Sequence, residues 1–430
     1  MESEQHPLLN LPGWTRLVED NLHMNPADAV LEWRKQAAKN GRDIDFSPEV
    51  IHALGEQLDC YKRVRSKFPN WHTPGMIYSR KALEQSTGEA AARYRSSLYN
   101  GKLAVDLTTG LGMDAFALSF GFEKVFTLEK HFPTHQIARH NYRFLKESGD
   151  HKPSGEVEHL HEDSGEWIRE NKTLTAIDLI YADPSRRDDQ QRVFLLEDCE
   201  PNIPGMISEL RRMAPKIVLK LSPLFDITAL KKSLPGVELI RVVSVNGEVK
   251  EVIAEIGRDD APETETLAVL LDKPGNVISE LRGSGAESGF ISGWNSEPLI
   301  IPAEAPLSGW ICEPDAAIIK AGLTHRLADG NNVFLMHERT GYLISRNEPP
   351  EVINKTCRCH KIGAVLSWQQ KSVKKFLKQN GISRAHIHRR DFPESTDTLF
   401  KKLGLKMGDQ AHLHFTRDRS GGPVVVVGDM

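Results

Sequence analysis

The sequence predicts an α/β protein: a parallel sheet covered by helices on both faces, preceded by a helical region and followed by α+β domains. Three observations carry this. Between residues 100 and 260, short apolar runs at Leu103–Leu107, Lys124–Leu128, Leu179–Ala182 and Lys216–Leu221 alternate with helical stretches, the pattern of βαβ units. Residues 1–99 place apolar side chains at helical spacing over Ala29–Ala38, Pro48–Leu58 and Ile77–Leu98, without strand-like alternation. The region from residue 346 onward reads β-α-β-α-β-β and ends in a hairpin at Ser420-Gly421-Gly422.

Between these lies a small α+β unit, residues 264–345. Its strand signals are Thr266–Leu271, Pro298–Pro302 and Asn332–Met336, and its one helical stretch is Pro314–Ala321. Pro262 and Thr264, set among acidic residues, mark the boundary before it. A chain of 430 residues accommodates this many domains. With 39% hydrophobic and 27% charged residues it reads as globular, and no apolar run is long enough to span a bilayer. The N-terminus has no basic segment leading into an apolar one, so no secretory signal is expected and the cytoplasm is the expected compartment. Five scattered cysteines (Cys60, Cys199, Cys312, Cys357, Cys359) suit a reducing compartment and argue against a disulfide scaffold. Cys357-x-Cys359-His360 has no second Cys/His pair at zinc-site spacing, so no metal is expected.

The strongest local signal is Val105-Asp106-Leu107-Thr108-Thr109-Gly110-Leu111-Gly112-Met113-Asp114-Ala115. A short strand enters a Gly-x-Gly turn and then a helix, where glycines permit sharp turning and close approach of a ligand. As a bare pattern it fits many nucleotide sites. Asp106 at the strand end disfavours a pyrophosphate and suits a cationic group; a helix-capping role in a tight turn is the structural alternative. Glu129 ends the next strand, where an acid can accept ribose hydroxyls, or simply face solvent. Asp163, before the helical Glu166–Glu170, either accepts an adenine amino group or caps the helix. Asp183-Pro184-Ser185-Arg186-Arg187 follows the fourth strand, at the crevice where open α/β sheets bind ligands. Val237–Val245 and Lys250–Ile256, joined through Asn246-Gly247, predict an antiparallel hairpin at the sheet's end.

Asp-x-x-x-Gly-x-Gly, the strand-end acid, Asp-Pro and the closing hairpin, in that order, resemble the motifs of class I S-adenosylmethionine-dependent methyltransferases, with a Rossmann-like fold. DLTTGLGMDA with YADPSRR, preceded by Glu84-Gln85-Ser86-Thr87-Gly88-Glu89, is similar to bacterial methyltransferase-like proteins with a ferredoxin-like middle domain and a C-terminal THUMP-like domain. Cys312–Gly322 also resembles that group's middle region, which extends the likeness over nearly the whole chain. The resemblance implies four regions: 1–99 helical, 100–260 methyltransferase, 264–345 ferredoxin-like, 346–430 THUMP-like and RNA-binding. It implies S-adenosylmethionine as cofactor, held by Asp106, Thr108, Gly110, Gly112, Asp114, Glu129, Lys130 and Asp163, with Gln85, Ser86 and Thr87 lining the site from the N-terminal side.

Amino methyltransferases of nucleic acids often carry Asp/Asn-Pro-Pro-aromatic, in which the acid and a carbonyl hold the target amine. Asp183 and Pro184 match the first half, whereas Ser185 and Arg186 depart from the second. Asp183, Pro184 and Arg186 are the expected acceptor-site residues. The arginines hold a phosphate or stack on a base, or else pair with Asp188, Asp189 or Glu197 at the surface. No cysteine follows Asp-Pro, which argues against a covalent C5-pyrimidine mechanism. From Glu351 onward, 15 Lys and Arg stand against 7 Asp and Glu, in a chain whose net charge is −4. Lys371, Lys374, Lys375 and Lys378 share one helix, with Arg384, Arg389 and Arg390 nearby, either as a phosphate-tracking surface or as a solvated face. The expected function is methylation of RNA. The alternatives are an RNA-binding or assembly protein that has lost turnover, and a methyltransferase acting on a protein or small molecule. A nicotinamide oxidoreductase fits least, given Asp106 and Asp183-Pro184.

Overall fold

The computed structural model describes residues 5–39, 47–147, 152–174, 176–186, 196–259, 263–283, 299–302 and 305–429. They form two compact units. The first comprises Met1–Ile240, Lys250–Thr264 and Lys273–Asn276; the second comprises Arg241–Val249, Glu265–Asp272 and Val277–Met430. Among the described residues, no helix is long and apolar enough to cross a membrane.

The first unit begins with helices α1 (Trp14–Asp20), α2 (Pro26–Lys39), α3 (Pro48–Lys67), α4 (Arg80–Gln85) and α5 (Glu89–Ser97). The start of α3 follows from its sequence: the Ser47 hydroxyl accepts from Val50 N, and Pro48 occupies a first-turn position that needs no N–H. The segment between α3 and α4 is pinned from two sides. The Gln57 amide brackets the backbone of Tyr78 at 2.7 and 2.9 Å, and the Asn141 amide does the same for Ile77 at 2.8 and 2.7 Å. These buried polar pairs fix where α4 starts, and hence where Gln85 and Ser86 fall.

The strands β1 (Gly101–Asp106), β2 (Phe122–Leu128), β3 (Glu156–Leu160) and β4 (Leu179–Ala182) alternate with α6 (Met113–Leu118), α7 (Phe132–Glu147) and α8 (Ser164–Glu170). Two short strands, β5 (Ser185–Arg186) and β6 (Cys199–Glu200), pair antiparallel. Then follow α9 (Ile203–Met213), β7 (Lys216–Leu221), α10 (Ile227–Ser233), β8 (Val237–Val245) and β9 (Glu248–Gly257). In the first unit the sheet runs β9-β7-β4-β1-β2-β3. All pairings are parallel except β7 with β9. The expected antiparallel closure is therefore present, and the chain turns at Asn246-Gly247 with both residues at positive φ. One apolar cluster unites the N-terminal helices with α6 and α7, through Trp33, Leu54, Phe68, Met76, Phe116 and Ile137. A second packs α8, α9 and α10 against the sheet, through Trp167, Ile203, Leu210, Ile217 and Leu230. Register places Asp106 beside Thr127 on one side and Tyr181 on the other, so the strands end together and their loops share one edge.

In the second unit, β10 (Glu265–Leu271) pairs antiparallel with β11 (Val277–Gly283). The remaining elements are β12 (Trp310–Pro314), α11 (Ala316–Lys320), β13 (Val333–Leu335), β14 (Leu343–Ser345), α12 (Glu351–Thr356), β15 (Cys357–Ser367), α13 (Gln370–Gln379), β16 (His386–Arg389), α14 (Thr396–Leu403), β17 (His412–Arg417) and β18 (Pro423–Gly428). A seven-stranded sheet runs β13-β14-β12-β15-β18-β17-β16, with only β16 and β17 parallel among the register pairs. Strands from both sides of residue 346 thus share one sheet. The scattered cysteines argue against a disulfide scaffold; one pair, Cys312 and Cys359, is nonetheless joined as a disulfide. The β12–β15 pairing sets these two residues directly opposite each other, a proximity that 47 residues of separation conceal.

Candidate active site

At the common strand edge, the Gly-x-Gly turn carries Gly110 at φ 52° and Gly112 at φ 79°, the left-handed region that glycine enters without strain. A Cβ on Gly112 would meet Ala138 Cβ at 3.4 Å, whereas Gly110 faces open space. The turn is tied down by neighbouring strand ends. Leu107 N donates to Tyr181 O at 2.9 Å, Thr109 N to Leu128 O at 3.0 Å, and Asp183 N to the Thr108 hydroxyl at 2.7 Å.

Asp106 lies beneath this turn, fully buried, and not on the wall of the pocket. Its Oδ1 accepts from Thr108 N (2.9 Å) and Thr108 Oγ1 (3.2 Å), and its Oδ2 accepts from Thr127 Oγ1 (3.1 Å). Burial pushes its carboxyl up to about 7, against those hydrogen bonds. The folded protein therefore holds this proton more tightly than the unfolded chain does, and the stability so gained falls away as pH rises from about 4 through 7. Asp106→Asn keeps an acceptor for Thr108 and removes the titration. The variant's melting temperature, relative to wild type, is expected to rise between pH 5 and pH 8. A difference that is flat with pH would contradict the buried, titrating carboxyl.

The pocket wall gathers Gln85, Ser86, Thr108, Gly110, Asp114, Glu129, Lys130, Asp163 and Asp183 of the expected residues. Thr87, Gly112 and Pro184 are not on it. The backbone of Arg186 pairs with Cys199; its side chain, and Arg187, Asp188 and Asp189, lie outside the described residues. Glu129 Oε1 accepts from His131 N at 2.9 Å and Oε2 from Gly110 N at 3.3 Å, which anchors the strand-end acid to the turn. Burial raises its carboxyl, with those two N–H groups pulling the other way. Lys130 pairs with Glu200, another wall residue. Asp163 is the N-cap of α8, accepting from Glu166 N at 3.1 Å while also facing the pocket.

From the wall an ion network runs inward, joining residues far apart in the sequence. Asp114 pairs with Arg95, accepts from Lys220 Nζ at 3.1 Å and accepts from the Tyr181 hydroxyl at 3.0 Å. Lys220 also pairs with Asp183, and Arg95 with Glu251. Arg95 sits over the Tyr181 ring at 5.2 Å. Burial alone would push Asp114 up, but Arg95 and Lys220 outweigh it and hold the carboxyl at about 2. Burial pushes Asp183 up, with Lys220 opposing. One local feature does point toward it: after Lys216 at its start, the central strand is apolar except for the buried Lys220, and a buried charge requires a partner.

The wall is acidic. Asp114, Glu129, Glu162, Asp163, Asp183 and Glu200 face it, against Lys130 and Lys220. Such a site repels a pyrophosphate and attracts a ligand with cationic groups.

In the second unit, Lys371, Lys374, Lys375 and Lys378 are all exposed on α13, whose Val373 and Leu377 face the core. Arg384 and Arg389 are exposed as well. Arg390 departs from the expected basic face: it is half-buried, with Nε 3.0 Å from Glu313 Oε1 and its guanidinium over the Tyr342 ring. His386 and His388 do share a strand face, and their rings stack within the sheet's own cluster.

A parallel sheet closed by an antiparallel strand, with an acidic pocket at the strand ends, defines the Rossmann-like fold of class I methyltransferases. The crystal structure of a candidate methyltransferase from Porphyromonas gingivalis W83 matches 96% of each chain at a TM-score of 0.78 and 26% identity. An uncharacterized S-adenosylmethionine-dependent methyltransferase of Mycobacterium tuberculosis, in strains H37Rv and CDC 1551, is 23% identical over 354 residues, covering 82% of this chain and 88% of the relative. Residues 357–430 match the THUMP domain-like family. The chain thus has S-adenosylmethionine-dependent methyltransferase homologues and a THUMP-like domain at its C-terminus.

Proposed function

We propose that this protein is an S-adenosylmethionine-dependent methyltransferase acting on RNA. The observation that carries the cofactor is the acidic wall beneath an open glycine turn. S-adenosylmethionine brings a sulfonium and an ammonium, and when bound supplies an electrophilic methyl group. Asp114 presents a carboxylate at the site, and Glu129 offers an acceptor beside the turn. Gln85 and Ser86 form the wall on the side of α4. Asp183, bound to Lys220 and to Thr108 through its own N–H, holds and orients the acceptor. Arg186 is assigned an RNA phosphate or base. We keep 100–260 as the catalytic domain, 264–345 as the ferredoxin-like domain and 346–430 as the RNA-holding domain.

The RNA reading rests on the solvent-facing lysines of α13 within the THUMP-like segment. RNA affinity is expected to fall steeply with salt. Replacing Lys374, Lys375 and Lys378 with Glu is expected to weaken binding and to reduce the slope of log affinity against log salt by about one for each phosphate no longer neutralised. A salt-insensitive interaction, or an unaffected triple variant, would remove this helix from RNA recognition. The activity itself is tested with tritiated S-adenosylmethionine and RNA from cells lacking the gene, which retain the unmethylated sites. Incorporation of label is the expected result. Binding of cofactor and RNA without transfer would favour the second reading, an inactive RNA-binding protein, which Ser185-Arg186 in place of Pro-aromatic suggests.

A further inference from the structure

The second unit concentrates histidines on one face of its sheet. The parallel pairing of β16 with β17 sets His386 opposite His412 and His388 opposite His414. Alternation puts all four on the same face, while Leu413 and Phe415 of the same strand lie in the apolar core of the other. His360 of β15 completes the group, filling the space that a side chain on Gly428 would need. His360 and His412 stack with ring centroids 3.8 Å apart, and His388 and His414 with centroids 4.5 Å apart. His360 and His414 are buried, and His388 is only 11% exposed.

We propose that His360, His388 and His412 form a binding site for a divalent transition-metal ion of the zinc type. One ring nitrogen from each lies within 4.8 Å of the others. Tetrahedral zinc with Zn–N bonds of about 2.0–2.1 Å needs its ligand nitrogens roughly 3.3 Å apart, so side-chain rotations suffice to close the site. His388 Nε2 and His412 Nδ1 already face each other at 3.0 Å.

The surrounding groups orient these rings as metal ligands are oriented. His388 Nδ1 lies 3.2 Å from Glu313 Oε2, and Glu313 is itself held by Arg390. That leaves Nε2 to the ion, the carboxylate–histidine–metal arrangement that fixes a tautomer and raises ligand basicity. His360 Nδ1 lies 3.0 Å from His414 Nε2, and His414 Nδ1 lies 3.2 Å from the Tyr342 hydroxyl. His360 therefore presents Nε2, with His414 and Tyr342 as its positioning pair. Three imidazoles leave a coordination position open, and nitrogen donors suit zinc, nickel or copper rather than magnesium or calcium.

The test uses the full-length chain prepared without a polyhistidine tag, stripped with chelator, and titrated with Zn2+ against a chromogenic competitor. Uptake of one Zn2+ per chain is expected. His412→Gln and His360→Gln are each expected to weaken it by roughly 100-fold or more, since even orienting partners are worth 10–100-fold. His386→Gln, which loses a ring bound to Asp409 instead, should retain wild-type affinity. Because His360 is packed against Gly428, the half-exposed His412 is the decisive position should the His360 variant not fold. Co2+ in place of Zn2+ should give visible absorption bands that His412→Gln abolishes. Absence of stoichiometric Zn2+ uptake by the wild-type chain would overturn the site and leave a hydrogen-bonded histidine stack. Uptake that survives His412→Gln would overturn it equally, placing the ion elsewhere.

Discussion

Asp183→Ala is expected to cut methyl transfer by at least ~100-fold, the low end for losing a positioned acid–base group, while leaving S-adenosylhomocysteine affinity within a few-fold of wild type. The separation follows from the geometry. What Asp183 gives the turn is its backbone N–H, donated to Thr108, and alanine keeps that bond. Its carboxylate is one-third exposed at the pocket, paired with Lys220 on one side and open to an acceptor on the other. Lys220 remains paired with Asp114 in the variant, so no buried charge is stranded. Equal losses of binding and transfer would make Asp183 a scaffold residue. A fully active variant would move the acceptor site away from Asp183-Pro184.

Lys220→Met is expected to destabilise the first unit by about 3–5 kcal/mol, the usual cost of removing one partner from a buried ion pair. Its ammonium is 6% exposed and serves both Asp114 and Asp183. Methionine fills the volume but leaves Arg95 as the remaining cation near Asp114, with Glu251 already claiming that guanidinium. The loss should ease as pH falls, because the carboxylates deprived of their cation can then take up a proton. Denaturant unfolding at pH 7 and pH 5 measures both parts. A cost below about 1 kcal/mol at pH 7 would show that these carboxylates do not depend on Lys220.

The parallel strands that form the centre of the first unit are legible in the sequence because they are buried on both faces and read as apolar runs. Asn246-Gly247 is legible because a tight turn with two positive φ values demands that dipeptide. Two of the strands that escape sequence reading do so because they are solvated. β3 ends the first unit's sheet with its Glu156, Glu158 and His159 facing outward or half-buried, and β11 alternates exposed residues, so neither shows an apolar run. Most of the residues expected from motif order do meet at the pocket wall. Asp106 ends a strand and so reads as a ligand-facing acid, yet its burial under the turn depends on Thr108 and Thr127, one of them from the next strand. Arg95 and Glu251 meet across 156 residues, and the histidine face depends on strand order in a sheet. Short-range Cys/His spacing cannot reveal ligands drawn from three different strands.

Calorimetric titration of the full-length protein with S-adenosylhomocysteine and, separately, with NAD tests the acidic pocket most directly. The expected result is one S-adenosylhomocysteine per chain, no heat of binding with NAD, and a loss of roughly 1.5–3 kcal/mol in Glu129→Ala, as for a lost hydrogen bond to a charged group. Binding of NAD in place of S-adenosylhomocysteine would contradict the assignment.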